Sequence, residues 1–318
     1  MKSTIKISVF ISVVFSVWAL CSANAQTVST PIVGFSKVTV PAGTRGVVPG
    51  FVKSAKYSGS GLVSGQLIAA SGLTANTLAP TQVGTGAPDF PTHYIEIVSG
   101  PYEGYSFDVL SNTTSSVTAL GLPSSVNAST INYVIRPHLT LGDIDSANLP
   151  DGNIVLNIYN DPNKPANTFL YDSAGNWYDG SGTYLMNHAV IYPGTGVSLY
   201  NSSSTFTINF TGQVKTTKTV VPVYYQATYN LVGPMNPSAS TTLSQWAAPL
   251  PPDTIANILS PSGDNQVLLT LLTDTGSTAL YDGSGNPISS VNVQGQNALL
   301  MGAMTSDGYV TFNSPLSP

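Results

Sequence analysis

Cysteine is almost missing from this chain, and the single one, Cys21, lies in an N-terminal stretch that reads as a secretory signal. With that stretch removed, disulfides and thiolate chemistry are both excluded, and the fold must rest on its apolar core. Charge is also scarce. Lys, Arg, Asp and Glu together make up 8% of the chain, with 10 basic against 15 acidic residues and a formal net charge of −5. A thinly charged, acidic surface excludes nucleic-acid binding, which needs clustered Lys and Arg to displace counterions. After the first 25 residues there is no second long apolar run, so no spanning helix is expected in the mature chain. Long Ala/Glu/Lys/Leu stretches are lacking too, which speaks against a helical fold.

Residues 1–25, MKSTIKISVFISVVFSVWALCSANA, place Lys2 and Lys6 ahead of an apolar run and end in the small-residue pattern Ala23-Asn24-Ala25. This pattern predicts export, with cleavage after Ala25 and an extracellular or cell-envelope location. The bulky Leu20 before Cys21 argues against a lipoprotein signal.

What the chain has instead is Ser, Thr and Asn, with 29 Gly, 23 Pro and 16 Tyr, the composition of short strands joined by many turns. Alternation is clearest at TFTINFT (205–211), where Phe206, Ile208 and Phe210 take one face. HYIEIV (93–98), INYVIR (131–136), NIVLNIY (153–159), VVPVYYQATY (220–229) and QVLLTLL (266–272) read as further strands. Two short helices are predicted near 141–148 and 242–248, stopped by Pro150 and Pro249. YSGSGLVSG (57–65) reads as a turn or linker.

Two segments run in parallel. INYVIRP (131–137) is echoed by YNLVGP (229–234), Thr140-Leu141 by Thr242-Leu243, and NIVLNIYND (153–161) by NQVLLTLLTD (265–274). LYDSAGN (170–176) then matches LYDGSGN (280–286), and HAVIYPG (188–194) matches NALLMG (297–302). The matches keep one order, which points to a diverged tandem duplication. The expected organisation is a signal peptide (1–25), an N-terminal β-rich segment (26–130), and two β units (131–218 and 219–318). The fold class is all-β, with tandem β-sandwich or barrel-like units and one or two short helices; the alternative is a parallel β-helix.

SGPYEGYSFDVLSNTTSSVTAL (99–120), INYVIRPHLTLGDI (131–144) and YNLVGPMNPSASTTLSQW (229–246) carry a resemblance. In these stretches the chain resembles a family of secreted, β-rich proteins of Verrucomicrobia-type bacteria, with Gly104, Phe107, Val109, Ser111 and Asn112 carrying the shared segment. The resemblance implies an exported envelope or extracellular protein. It brings no catalytic residues.

Catalytic sets are thin. No G-x-S-x-G elbow occurs, and His93, His138 and His188 fall in separate segments without metal-pair spacing. The two glutamates, Glu96 and Glu103, flank one turn; they read as solvated strand and turn residues, with a glycosidase pair as the rival. Asp143, Asp145 and Asp151 form a candidate calcium set, weighed against turn capping, which is also the bland reading for Asp172, Asn176 and Asp179. Tyr171, Trp177 and Tyr178, with Tyr184, Tyr192 and Tyr200 nearby, would bind glycan if exposed and form core if buried. The expected function is therefore an exported structural or adhesive surface protein without catalysis, self-associating or contacting surface glycan. A carbohydrate-binding module and a polysaccharide-active enzyme are the alternatives.

Overall fold

The computed structural model describes residues 31–40, 42–64, 67–70, 72–82, 89–122, 130–144, 149–150, 154–158, 167–202, 204–223, 230–233, 235 and 241–242. Beyond these it describes the strands 255–259, 267–273, 280–281, 287–288, 292–293, 299–301 and 308–312. The fold is all-β. The predicted signal segment 1–25 lies outside the described residues. No helix among the described residues is long and apolar enough to cross a membrane.

Val33–Val40 pairs antiparallel with Phe206–Gln213 to make a two-stranded ribbon. Beneath it lies a five-stranded sheet in the order Trp177–Asp179, Asn167–Tyr171, Ile154–Ile158, Val197–Asn201, Gly43–Val47. Period-two alternation turns one row of each strand inward. Val38, Val40, Phe206, Ile208 and Phe210 from the ribbon meet Leu156, Leu199, Phe169 and Trp177 from the sheet in one apolar core. The strand expected from TFTINFT is thus present with its three apolar side chains buried.

Between Gly43–Val47 and the rest of this sandwich the chain builds a second body. Six antiparallel strands pair in the order Thr130–Pro137, Tyr57–Ser64, Leu67–Ala69, Ser116–Ala119, Ser106–Asn112, His93–Ile97, and the last pairs back onto the first, closing a barrel. Ile95, Ile97, Val109, Val117, Ile131, Tyr133 and Ile135 fill its interior. The stretch 57–65, read from sequence as a turn or linker, supplies a barrel strand instead. Gly59 stands opposite Tyr133, and a Cβ there would come within 2.7 Å of the Tyr133 hydroxyl oxygen. The glycine makes room for the ring rather than marking a turn. Of the first predicted helix, the described part forms a 3-10 turn, Leu141–Asp143. Residues 145–148 and 243–248 lie outside the described residues.

After Gln213 the pairings of the sandwich recur. Val38 faces Ile208, and Val221 faces Val310. Val47 faces Val197, and Val232 faces Leu299. Leu156 faces Leu199 and Ala256 faces Met301; Asn157 faces Thr168 and Asn257 faces Thr270. Thr140 faces Val190, and Thr242 faces Asn292. The second sheet runs Asn230–Val232, Leu299–Met301, Ile255–Leu259, Val267–Thr273, Leu280–Tyr281, Pro287–Ile288. In this register Leu170 facing Tyr178 corresponds to Leu272 facing Tyr281. By this register Tyr281 stands where Tyr178 stands in the first sheet, whereas the matching phrases LYDSAGN and LYDGSGN align it with Tyr171. Among the described residues the barrel has no counterpart in the second set.

The two sets touch along an edge. Gly196 N–H donates to the Leu231 carbonyl at 2.8 Å, and Gly233 N–H donates to the Gly194 carbonyl at 2.9 Å. Gly194 has φ +79°, and a Cβ on it would sit 2.3 Å from Val221 Cγ2, so only glycine fits this contact.

Candidate functional site

The charged residues of the barrel gather on one side, where three neighbouring strands turn alternate side chains outward. On His93–Ile97, Ile95 and Ile97 point into the barrel, which forces Tyr94 and Glu96 out. Asp108 stands beside Tyr94 on one neighbouring strand and Arg136 on the other. Outward does not mean solvated here. Glu96 is 0% exposed because the end of the sandwich ribbon and the following 214–218 segment cover it.

Under that cover sits an ionic node. Arg136 Nε donates to Glu96 Oε2 at 2.7 Å, while its Nη1 donates to the Lys53 carbonyl at 3.0 Å and to Gln213 Oε1 at 2.7 Å. Lys215 Nζ lies 2.9 Å from Glu96 Oε1 and also donates to Thr217 Oγ1 at 2.7 Å and to the Lys218 carbonyl. The Thr217 hydroxyl donates to Glu96 Oε1. Burial alone would raise the Glu96 pKa, but Lys215, Arg136 and the Thr217 hydroxyl together outweigh it and hold the carboxyl below its ordinary value. Lys215 is pushed down by burial, opposed by Glu96. Two cations therefore share one carboxylate in a dry joint. Its partners come from the barrel, the ribbon end and the segment leading into the second sheet.

A second polar group lies alongside. The His138 ring is held between Tyr94, at 4.9 Å between centroids, and Tyr192, at 5.2 Å edge-on. Its Nε2 is 2.9 Å from Asp108 Oδ1, at ion-pair distance but outside hydrogen-bond geometry. The Tyr192 hydroxyl, from the sandwich, donates to Asp108 Oδ2 at 2.7 Å. His93 Nδ1 meets the Thr92 hydroxyl at 2.8 Å, and its Nε2 is buried without a partner. Burial, then Lys56, His138 and Lys53, lowers the His93 pKa to about 4. Burial, then Glu96, raises that of Tyr94, whose hydroxyl is buried and unpartnered.

These groups resemble catalytic parts without their arrangement. A His–Asp pair needs a nucleophile on the free imidazole nitrogen, and among the described residues no hydroxyl or thiol hydrogen-bonds His138. Glu96 is sealed from solvent by Arg136, Lys215 and Thr217. What the geometry can do is join the barrel to its neighbours in one orientation and respond to acid. The folded pKa of His93 lies below the 6.5 of a free histidine, so the unfolded chain binds more protons between those values. The stability contributed by keeping His93 neutral is thus complete above pH 6.5 and is lost as pH falls toward about 4, by up to about 3 kcal/mol. Urea unfolding at pH 7.5, 5.5 and 4.5 should show this loss, and His93→Phe should flatten the slope between the first two.

The sequence-derived candidates fall in different places. Trp177 is 1% exposed and Tyr171 is buried beside it, their rings 5.0 Å apart in the sandwich core, so neither offers a face to a sugar. They belong to the core because their strands alternate inward at those positions. Tyr178, one residue on, lies on the outer face and is partly exposed. Asp143 accepts from the Thr140 N–H and hydroxyl, both at 2.8 Å, and pairs with Lys53 at 2.7 Å. Asp145 and Asp151 lie outside the described residues. Among the described residues no three His, Cys, Asp or Glu side chains come close enough to hold a metal.

Asp172 caps its own turn, accepting from the N–H groups of Ala174 and Asn176, and Asp179 does the same for Thr183 and Tyr184. Both carboxyls are held below the ordinary value, Asp172 chiefly by the Asn176 N–H and Asp179 chiefly by the Ser181 hydroxyl. Sequence reasoning missed the node itself: Glu96 is a buried ion, not a solvated strand residue, and Arg136 and Lys215 are its partners. The signal was the charged residue in each of two strongly apolar strands, HYIEI and INYVIR. Comparison with family models, curated proteins and solved structures finds no match.

Proposed function

We propose that this chain is an exported structural or adhesive protein of the cell surface or its surroundings. It is built from two copies of one β module, the first carrying an inserted barrel. The observation that supports a non-catalytic role most directly is the ionic node. Glu96, Arg136 and Lys215, at 0%, 5% and 0% exposure, are spent on fixing bodies to one another. A general acid or base needs contact with substrate, and sealing such groups away favours mechanical rigidity over turnover. The matching pairings on either side of Thr219 support duplication. The signal-like residues 1–25 and the resemblance to secreted β-rich proteins support export.

The test uses the secreted full chain, fluorescently labelled, offered to cells and extracellular matrix of the producing organism, together with sedimentation velocity. The expected result is saturable retention on cells or matrix, or assembly into oligomers. A protein that stays monomeric and binds neither overturns the proposal.

A further inference from the structure

We infer that the outer face of the first five-stranded sheet binds a neutral polysaccharide along a row of side chains ending in Tyr178 and Tyr200. The inference rests on the adhesive reading above and names its ligand. Alternation that buries Trp177, Phe169, Leu156 and Leu199 turns their neighbours to the opposite face. There Tyr178 faces Leu170, Leu170 faces Val155, and Val155 faces Tyr200. One continuous row thus crosses four strands at right angles to them. With strands about 4.8 Å apart, its ends stand about 14 Å from each other.

The row is open to solvent. Tyr200 is 44% exposed, and Tyr178, Leu170 and Val155 are partly exposed. Tyr184 and Leu185, both exposed, flank the Tyr178 end, where Leu185 bridges to Tyr178. The row is one residue wide. On one side lie Thr168, whose hydroxyl donates to Asn157 Oδ1 at 2.8 Å, and Ser198 opposite Asn157. On the other lies Asp172, which is occupied by its turn.

A narrow apolar strip with aromatic rings, bordered by hydroxyl and amide groups and carrying no Lys or Arg among the described side chains, fits a linear and uncharged polymer. The C–H faces of sugar rings pack on aromatic planes, and sugar hydroxyls match neutral hydrogen-bonding borders. Anionic polymers and nucleic acid lack their cations here.

The second set of strands repeats the row by register. Tyr281 faces Leu272, and Leu272 faces Ile255, giving Tyr, Leu and a β-branched residue in the same order. Each tyrosine is followed by Asp-Gly-Ser-Gly, at 179–182 and 282–285. By strand register alone, the Tyr–Leu pairing of the first sheet's outer row recurs in the second set.

The test is native electrophoresis of the full secreted chain through gels containing galactomannan, xyloglucan, mixed-linkage glucan or dextran, with pull-down on cellulose and chitin. The expected result is retention on at least one of these neutral polymers, weakened about tenfold by Tyr200→Ala. The double variant Tyr178→Ala/Tyr200→Ala, which removes both ends of the row, should lose about a hundredfold. Tyr178→Phe, which keeps the ring, should retain most of the binding, and thermal unfolding of each variant should match the parent.

Lack of retention on every neutral polymer overturns the inference, as does retention indifferent to these tyrosines or stronger on a polyuronate. If the tyrosine variants still hold to cells or matrix undiminished, the sheet face is not the ligand site and the adhesive reading stands. If the parent binds polysaccharide but neither cells nor matrix, the adhesive reading fails and the site remains.

Discussion

Glu96→Gln should lower the unfolding free energy by about 3–5 kcal/mol, because it leaves Arg136 and Lys215 buried side by side without an anion. Glutamine preserves the shape, so the loss reports charge rather than a cavity. Guanidinium unfolding of the parent and variant measures it directly. The comparison that gives the number meaning is Lys215→Met. Removing the surplus cation leaves Glu96 paired with Arg136 and fills the space with an apolar side chain, so stability should stay within about 2 kcal/mol of the parent, or rise. A Glu96→Gln change below about 1 kcal/mol would mean that water reaches the node.

Trp177→Ala should cost about 3–5 kcal/mol, the usual penalty for emptying a large aromatic site that cannot collapse. Trp177 packs on Tyr171 in the core, and its backbone N–H donates to Asn187 Oδ1 at 2.8 Å. In a thermal scan the midpoint should fall by roughly 6–20 °C. Tyr178→Ala, one position away but facing outward, should fall by far less. The contrast separates two readings of neighbouring aromatics: any ligand binding lost in Trp177→Ala follows unfolding, and only Tyr178 and Tyr200 report on the surface.

The all-β class and most strand positions were legible because alternation at TFTINFT, HYIEIV and INYVIR is a local signal that burial on one face imposes directly. The barrel was not legible. Its closure depends on Thr130–Pro137 pairing with both Tyr57–Ser64 and His93–Ile97, and the glycines of the first of these look like a linker until Tyr133 is seen lying over Gly59. A parallel between two stretches was expected from sequence, and the pairing register sets Tyr281 beside Tyr178 where the LYD phrases align it with Tyr171. Those phrases agree at five of seven positions, and strand partners leave no mark in one-dimensional text. The node was hidden for a related reason. Glu96, Arg136 and Lys215 are far apart in sequence, and each alone has an ordinary surface explanation. The turn aspartates, whose caps span only a few residues, were read correctly.

The insertion of the barrel sets an order of events for the nascent chain. Val33–Val40 and Gly43–Val47 are made first, yet their partners, Phe206–Gln213 and Val197–Asn201, are made only after the whole barrel has been synthesised. At about 5–20 residues per second these leading strands wait many seconds with unpaired edges. The barrel, whose strands lie closer together in sequence, can close in that interval and bring the ends of its segment near one another. Early closure would shorten the effective loop between Val47 and Leu139, reducing the entropic barrier to completing the sandwich. On this account the barrel acts as an internal folding aid as well as a lobe, and its deletion would slow refolding of the first sheet more than that of the second.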